Sequence, residues 1–315
     1  MAQALPGAVA LKPLHDDQHV AFSARQFVLL ALLTLCWGLN WPVMKLGISD
    51  FPPLSFRAIS MWLGLPVLVA AALAMQTPLR IARRDWPELV RLSVTNMIVW
   101  HVLAIVSLKS LPSGRAAILG YTMPIFSALF GMALFGQRLR ARQWAGVGAA
   151  ALGVVLLLWH EFGAVSGQPF AAFGMLAAAA TWALGTQQLR RTKISAPTLA
   201  IIFWMTVLTT FVTSSCAVLF ERARWTAPGP TTWFAIGYNA LLIFGFAQPL
   251  WLVMARNLPP IASSLSVMLI PVLGTVCGAL WLHEQLHWQD GAAIVLMFVA
   301  IGSVLWPARA ADRQG

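Results

Sequence analysis

Residues 111–139 read LPSGRAAILGYTMPIFSALFGMALFGQRL, and residues 258–286 read LPPIASSLSVMLIPVLGTVCGALWLHEQL. Both open on Leu-Pro, Leu111-Pro112 and Leu258-Pro259, and both carry a second proline thirteen residues after that leucine, Pro124 and Pro271. The offset of 147 residues persists past the prolines, where Gln137-Arg138-Leu139 falls on Glu284-Gln285-Leu286. A long apolar segment that recurs with its punctuation intact implies a duplicated unit around it. Trp37 and Trp182, in similar places of the first and sixth apolar runs, extend the duplication toward the N-terminal side.

The rest of the chain has the same texture. Of 315 residues, 59% are hydrophobic and 10% charged, with a mean hydropathy of +0.75, whereas soluble chains are about one quarter charged. Ten apolar stretches, at 26–44, 58–78, 90–108, 113–136, 143–159, 170–189, 197–220, 231–254, 258–282 and 289–306, are near the length that crosses a bilayer core. The third and fifth are slightly short, which predicts upright helices or ends close to the interface. This pattern excludes a soluble enzyme, a disordered chain and a disulfide-stapled secreted fold. Cys36, Cys216 and Cys277 lie in apolar runs, where a thiol is a small hydrophobe.

Connections between the stretches carry the charge. With both termini inside, 15 of the 21 Lys and Arg fall on the cytoplasmic side, against Lys45, Arg57, Lys109, Arg115, Arg222 and Arg224 on the other. That bias selects an N-in, C-in topology, and makes the net charge of +11 a topology signal rather than a nucleic-acid footprint. The expected fold is an all-α polytopic membrane protein of ten helices. Five per unit is odd, so the second unit is inverted relative to the first. The expected division is a disordered cytoplasmic leader over 1–24, five-helix units over 25–160 and 161–307, and a cytoplasmic tail over 308–315.

Polar groups inside apolar helices are the candidates for chemistry, because an unpaired polar group in the bilayer costs free energy. Trp37, Asn40, Trp41 and Met44 follow three-and-four spacing along the first span, a face that either packs on a neighbour or lines a cavity. Asn96 and His101, Tyr121, Gln187 and Gln188, Asn239 and Gln248 extend the set. His101 either meets a solute carboxylate or proton, or is a structural histidine bonded to a carbonyl. Pro124 and Pro271 are kinks of architecture or of gating. Lys45, Arg57, Lys109 and Arg115 gather at the predicted outer ends, where they either snorkel to headgroups or turn inward to attract carboxylates.

One literal enzyme motif exists. His283-Glu284-Gln285-Leu286-His287 matches H-E-x-x-H, whose histidines bind zinc only on one continuous helix face. Almost no room is left before the next span, and the repeat mate of Glu284 is Gln137 without either histidine, so the string reads first as a helix end. No Gly-rich phosphate loop ending in Lys-Ser or Lys-Thr is present, and ten acidic residues leave little for a sodium cage or carboxylate relay. His101 and Glu284 remain as coupling candidates.

Taken in order, Trp37-Gly38-Leu39-Asn40 with Lys45, Phe56-Arg57, Leu111-Pro112-Ser113-Gly114-Arg115-Ala116-Ala117 through Pro124, Leu258-Pro259 through Pro271, and Glu284-Gln285-Leu286 resemble the EamA-like branch of the drug/metabolite transporter superfamily over residues 26–306. The resemblance implies ten helices in two inverted units, and a central cavity built from the first, third, fourth, sixth, eighth and ninth. It places Trp37, Asn40, Tyr121, Trp182 and Gln248 on cavity-forming helices. One departure is Gln137, where the family has an acid at the end of the fourth helix. The implied protein is a bacterial inner-membrane exporter of amino acids or related metabolites, with a broad-specificity drug or amphiphile exporter as the alternative. Its partners are a small-molecule substrate and membrane lipids. No cofactor, metal or nucleic acid is expected, and a monomer is the working assumption.

Overall fold

The structure, a computed structural model, describes residues 24–163, 167–251 and 260–305. Among these residues the chain is helical, without strands. In chain order the helices are α1 (Ala24–Gly47), α2 (Pro53–Ala74), α3 (Arg83–Ser110), α4 (Ser113–Phe135) and α5 (Ala141–Gly163). They continue with α6 (Pro169–Leu189), α7 (Thr198–Glu221), α8 (Pro230–Trp251), α9 (Pro260–Leu282) and α10 (Trp288–Leu305). Eight spans in α1 to α8 are long and apolar enough to cross a membrane, and Leu269–Leu282 and Trp288–Ser303 are shorter apolar helices. Side chains such as Phe170, 90% exposed, and Trp159, 76% exposed, face outward. That surface suits lipid rather than water.

The third and fifth spans are longer than their apolar runs suggest. Arg83–Ser110 has 28 residues and Ala141–Gly163 has 23, because the helices continue through polar turns that hydropathy discards, with Glu88 in one and Arg142, His160 and Glu161 in the other. Likewise α2 starts at Pro53, a residue pre-set for a first helical turn, so Arg57 lies one turn inside the helix rather than before it. The leader before Ala24, the tail from 306 and Leu258-Pro259 lie outside the described residues.

Local geometry recurs at the 147-residue offset. α3 and α8 start at 83 and 230, α4 and α9 at 113 and 260, and α5 and α10 at 141 and 288. Wide π turns occupy Ser93–Ile98 and Asn239–Ala247. Gly136 and His283 both take left-handed φ, 65° and 53°, and the next amide, Gln137 or Glu284, bonds back to Gly131 O at 3.1 Å or Gly278 O at 3.3 Å. Packing is paired in the same way. α1 lies on α9 as α4 does on α6, α3 on α6 as α1 on α8, and α2 on α8 as α3 on α7, with α2 against α7 and α5 against α10. The prolines break the pattern. α4 is interrupted between Ser113–Gly120 and Met123–Phe135, just before Pro124, whereas Pro271 sits inside continuous α9.

One end of the bundle is tied by charges. Lys45 Nζ, at the end of α1, donates to Leu108 O, Lys109 O and Leu111 O at 2.8, 2.9 and 2.7 Å, while Lys109 Nζ, at the end of α3, returns the favour to Ile48 O and Ser49 O. Carbonyls left free at a helix end are satisfied by each other's lysine. Pro52 and Pro112 precede α2 and α4 and have no side-chain acceptor to offer as caps. Distant carboxylates do that job: Glu221 accepts from Leu54 N and Ser55 N at 2.9 and 2.7 Å, and Glu284 from Ser113 N and Gly114 N at 2.6 and 3.3 Å. Arg115 closes a buried cluster, donating to Glu161 and, at 3.0 and 3.2 Å, to both oxygens of Asp290.

Candidate functional site

A cavity of about 370 Å³ opens between α1, α2, α3, α4, α6 and α8. One side is aromatic. Trp41 meets Trp100 and Tyr121 edge-on at 6.5 and 6.4 Å, Trp100 tilts against Trp182 at 5.4 Å, and Trp37 against Trp251 at 5.4 Å. Its buried polar members are Asn40, Arg57, His101, Gln187 and Gln248, with Ser127 and Thr186 part-buried beside them. Gln137, Leu139, Gln143 and Arg190 continue the lining to the end of the bundle opposite Lys45. The lining has no Asp or Glu.

All seven residues singled out as solute contacts, Trp37, Asn40, His101, Tyr121, Trp182, Gln187 and Gln248, lie on this wall, together with Pro124 and Arg57. Their bonding differs. Gln187 Nε2 donates to Ser127 O and Oγ at 2.9 and 2.8 Å and its oxygen accepts from Arg191 at 2.5 Å, so its amide is committed to joining α6 to α4. Gln248 Nε2 donates, among the described residues, to Met97 Sδ at 2.8 Å, a weak acceptor. Asn40 Oδ1 and both nitrogens of His101 are buried without a partner among the described residues. His101 packs by its ring, 5.4 Å from Phe244 and 6.4 Å from Trp182, and the expected carbonyl bond is not made.

Other candidates serve the architecture. Asn96 donates to Trp182 O and Thr186 Oγ1 at 3.2 and 3.1 Å, Gln188 accepts from Thr95 Oγ1 at 2.9 Å, and Asn239 Nδ2 donates to Ala235 O at 3.0 Å. Lys45, Pro271 and Glu284 are absent from the cavity lining. The zinc motif loses its helix, since α9 ends at Leu282, His283 has positive φ, and the Glu284 carboxylate is engaged at Ser113. Among the described residues no group of three or more His, Cys, Asp or Glu could hold a metal ion. Trp100 and Trp251 were not singled out by sequence. Trp100 lies one turn beyond Asn96, and Trp251 one turn beyond Gln248, so helical spacing from those polar residues would have found both.

A polytopic bundle with a solute-sized cavity at its middle is the setting in which the comparison with known proteins is informative. A family model described as the EamA-like transporter family matches residues 25–159 and again 169–306. The chain belongs to the EamA-like transporter family. A protein of Escherichia coli strain K12 named uncharacterized inner membrane transporter YedA is 27% identical over 90% of this chain and 93% of its own length. The aromatic amino acid exporter YddG of Ancylobacter novellus is 29% identical over 68% of this chain and 75% of its own. A crystal structure covering 87% of this chain and 96% of the solved one has a TM-score of 0.63 at 24% identity, a likeness of fold. This EamA-family chain is a multi-pass inner-membrane protein, and its family and relatives are transporters rather than enzymes.

Proposed function

We propose that this EamA-family protein is a secondary transporter that exports small amphipathic solutes, amino acids or related metabolites first, by alternating access through the central cavity. Its frame is ten membrane helices in two inverted five-helix units, over 25–160 and 161–307, with both termini cytoplasmic. The 147-residue recurrence of helix starts, left-handed helix ends and cross-unit packing supports the division. Helices that pair across the two units can rock against each other and expose a midplane site to either side in turn.

The observation that carries the function is the cavity itself: aromatic walls for an apolar body beside buried polar atoms lacking partners. Such atoms are costly unless a bound solute or water meets them. Its lining continues toward Arg190 rather than Lys45, the cytoplasmic side in this topology, which suits loading from the cell. The relative YddG, named an aromatic amino acid exporter, points the same way.

The test is time-resolved movement of amino acids, related metabolites and amphiphilic drugs across proteoliposomes, with and without a pH gradient. Saturable movement of one class, weakened in Gln248→Ala and in Trp37→Ala, is the expected result. Correctly folded protein that moves none of them would sink the proposal.

A further inference from the structure

Arg57 is 3% exposed and lines the cavity. Among the described residues its guanidinium meets no full negative charge. NH1 donates to Asn239 Oδ1 at 3.3 Å, NH2 faces Met44 Sδ at 2.7 Å, and the group stands 5.6 Å from the centre of the Phe244 ring. Nε has no partner, and no described carboxylate pairs with Arg57. Arg115 shows what this chain does with a buried arginine that is purely structural, surrounding it with Glu161 and Asp290. A buried cation with one long amide bond, a thioether and a ring face is uncompensated, and such a charge is expensive.

The neighbours of Arg57 complete a receptor. His101, 4% exposed with both ring nitrogens unpartnered, lies against the same Phe244 ring at 5.4 Å, so the two share one wall. Asn40 Oδ1 is a further unmet acceptor on the lining, and the indoles of Trp37 and Trp41 are part of it. We infer that Arg57 is the counter-ion for the carboxylate of the transported solute, which makes the cavity selective for carboxylates with an apolar or aromatic body and against organic cations.

The chemistry follows from the groups present. A carboxylate matches the guanidinium fork and supplies the missing charge. His101 offers one N–H to the same anion, the aromatic walls take the body, and Asn40 Oδ1 with the tryptophan faces accommodates an ammonium when the solute is a zwitterion. An amine without a carboxylate brings a second cation to a wall that already has one, with no acid on the lining to receive it. This rests on the transport site proposed above, but it is a statement about binding and is separable from movement.

The experiment compares L-phenylalanine, 3-phenylpropionate and phenethylamine on the full chain, wild type against Arg57→Gln and Arg57→Lys. Binding is read as thermal stabilisation in detergent and movement as flux in proteoliposomes. Both carboxylates bind wild type and phenethylamine does not. Arg57→Gln weakens the carboxylates by about tenfold or more, the worth of a charge-assisted bond, and Arg57→Lys, which keeps the charge and the fold, restores part of it. Phenethylamine binding as well as phenylalanine, carboxylate binding equal in wild type and Arg57→Gln, or no carboxylate binding at all would overturn the inference. Carboxylate binding without flux would leave it standing and remove the transport proposal instead, whereas flux of phenethylamine would do the reverse.

Discussion

His101 and Gln248 are repeat mates, 147 residues apart, and each rests on the other's counterpart neighbour. The His101 ring lies 5.4 Å from Phe244, and Gln248 Nε2 lies 2.8 Å from Met97 Sδ, with Met97 and Phe244 themselves 147 apart. Both polar groups follow a wide π turn, and both line the cavity. Phe244 is 1% exposed, so it is the packing member of its pair. Phe244→Ala is expected to cost about 3–5 kcal/mol, while His101→Gln, which installs its mate's side chain, stays within about 1 kcal/mol of wild type. Denaturation in mild detergent checks both; equal losses would contradict the division of labour.

Glu284 is expected to behave as a helix cap and not as a proton site. Its carboxylate accepts from Ser113 N, Gly114 N and, at 2.9 Å, Ser113 Oγ. Glu284→Ala should lose about 1–2 kcal/mol of stability, with Glu284→Gln losing less. Flux measured against external pH should keep its profile in Glu284→Gln, and a displaced profile would return the residue to coupling.

Breaking the Arg115 cluster should be severe. Arg115, Glu161 and Asp290 have side chains 4, 4 and 7% exposed, so removing one member strands a charge in a dry site. Asp290→Asn is expected to cost about 3–5 kcal/mol. The readout is the fraction of full-length protein extracted as a monodisperse species and its unfolding midpoint. A midpoint equal to wild type would show that the cluster is solvated.

Gly185 lets α6 lie directly against the α3 backbone. A Cβ there would stand 2.5 Å from Asn96 N, Cα and Cβ, atoms that can yield only by moving the α3 backbone. Gly185→Ala should therefore cost about 1–3 kcal/mol, and Gly148→Ala, which meets nothing within 4 Å, should cost almost nothing. Thermal midpoints of the pair decide the matter.

Polar residues inside apolar runs were legible from sequence because water cannot satisfy them in a bilayer; Asn40, His101 and Gln248 stood out for that reason. Arg57 was harder, since a charge ends a hydropathy window. The apolar run starts at residue 58, which leaves the arginine at the outer end of the span, open either to snorkelling or to an inward turn. The helix begins at Pro53 instead, which carries Arg57 inward. Lys45 and Glu284 looked like candidates for chemistry because their true partners are backbone groups 63 to 66 and 170 to 171 residues away. Spacing along one helix gives no sign of such partners. The literal zinc motif lies where α9 ends at Leu282, the place at which the repeat sets Glu284 opposite Gln137.

The reciprocal lysines give α1 and α3 a shared fate. Each ammonium is clamped over carbonyls at or just past the other helix's end, and sliding one helix past the other would unseat both clamps together. The two helices thus form a single lever latched at the Lys45 end, and any motion between them is confined to a splaying of their far ends.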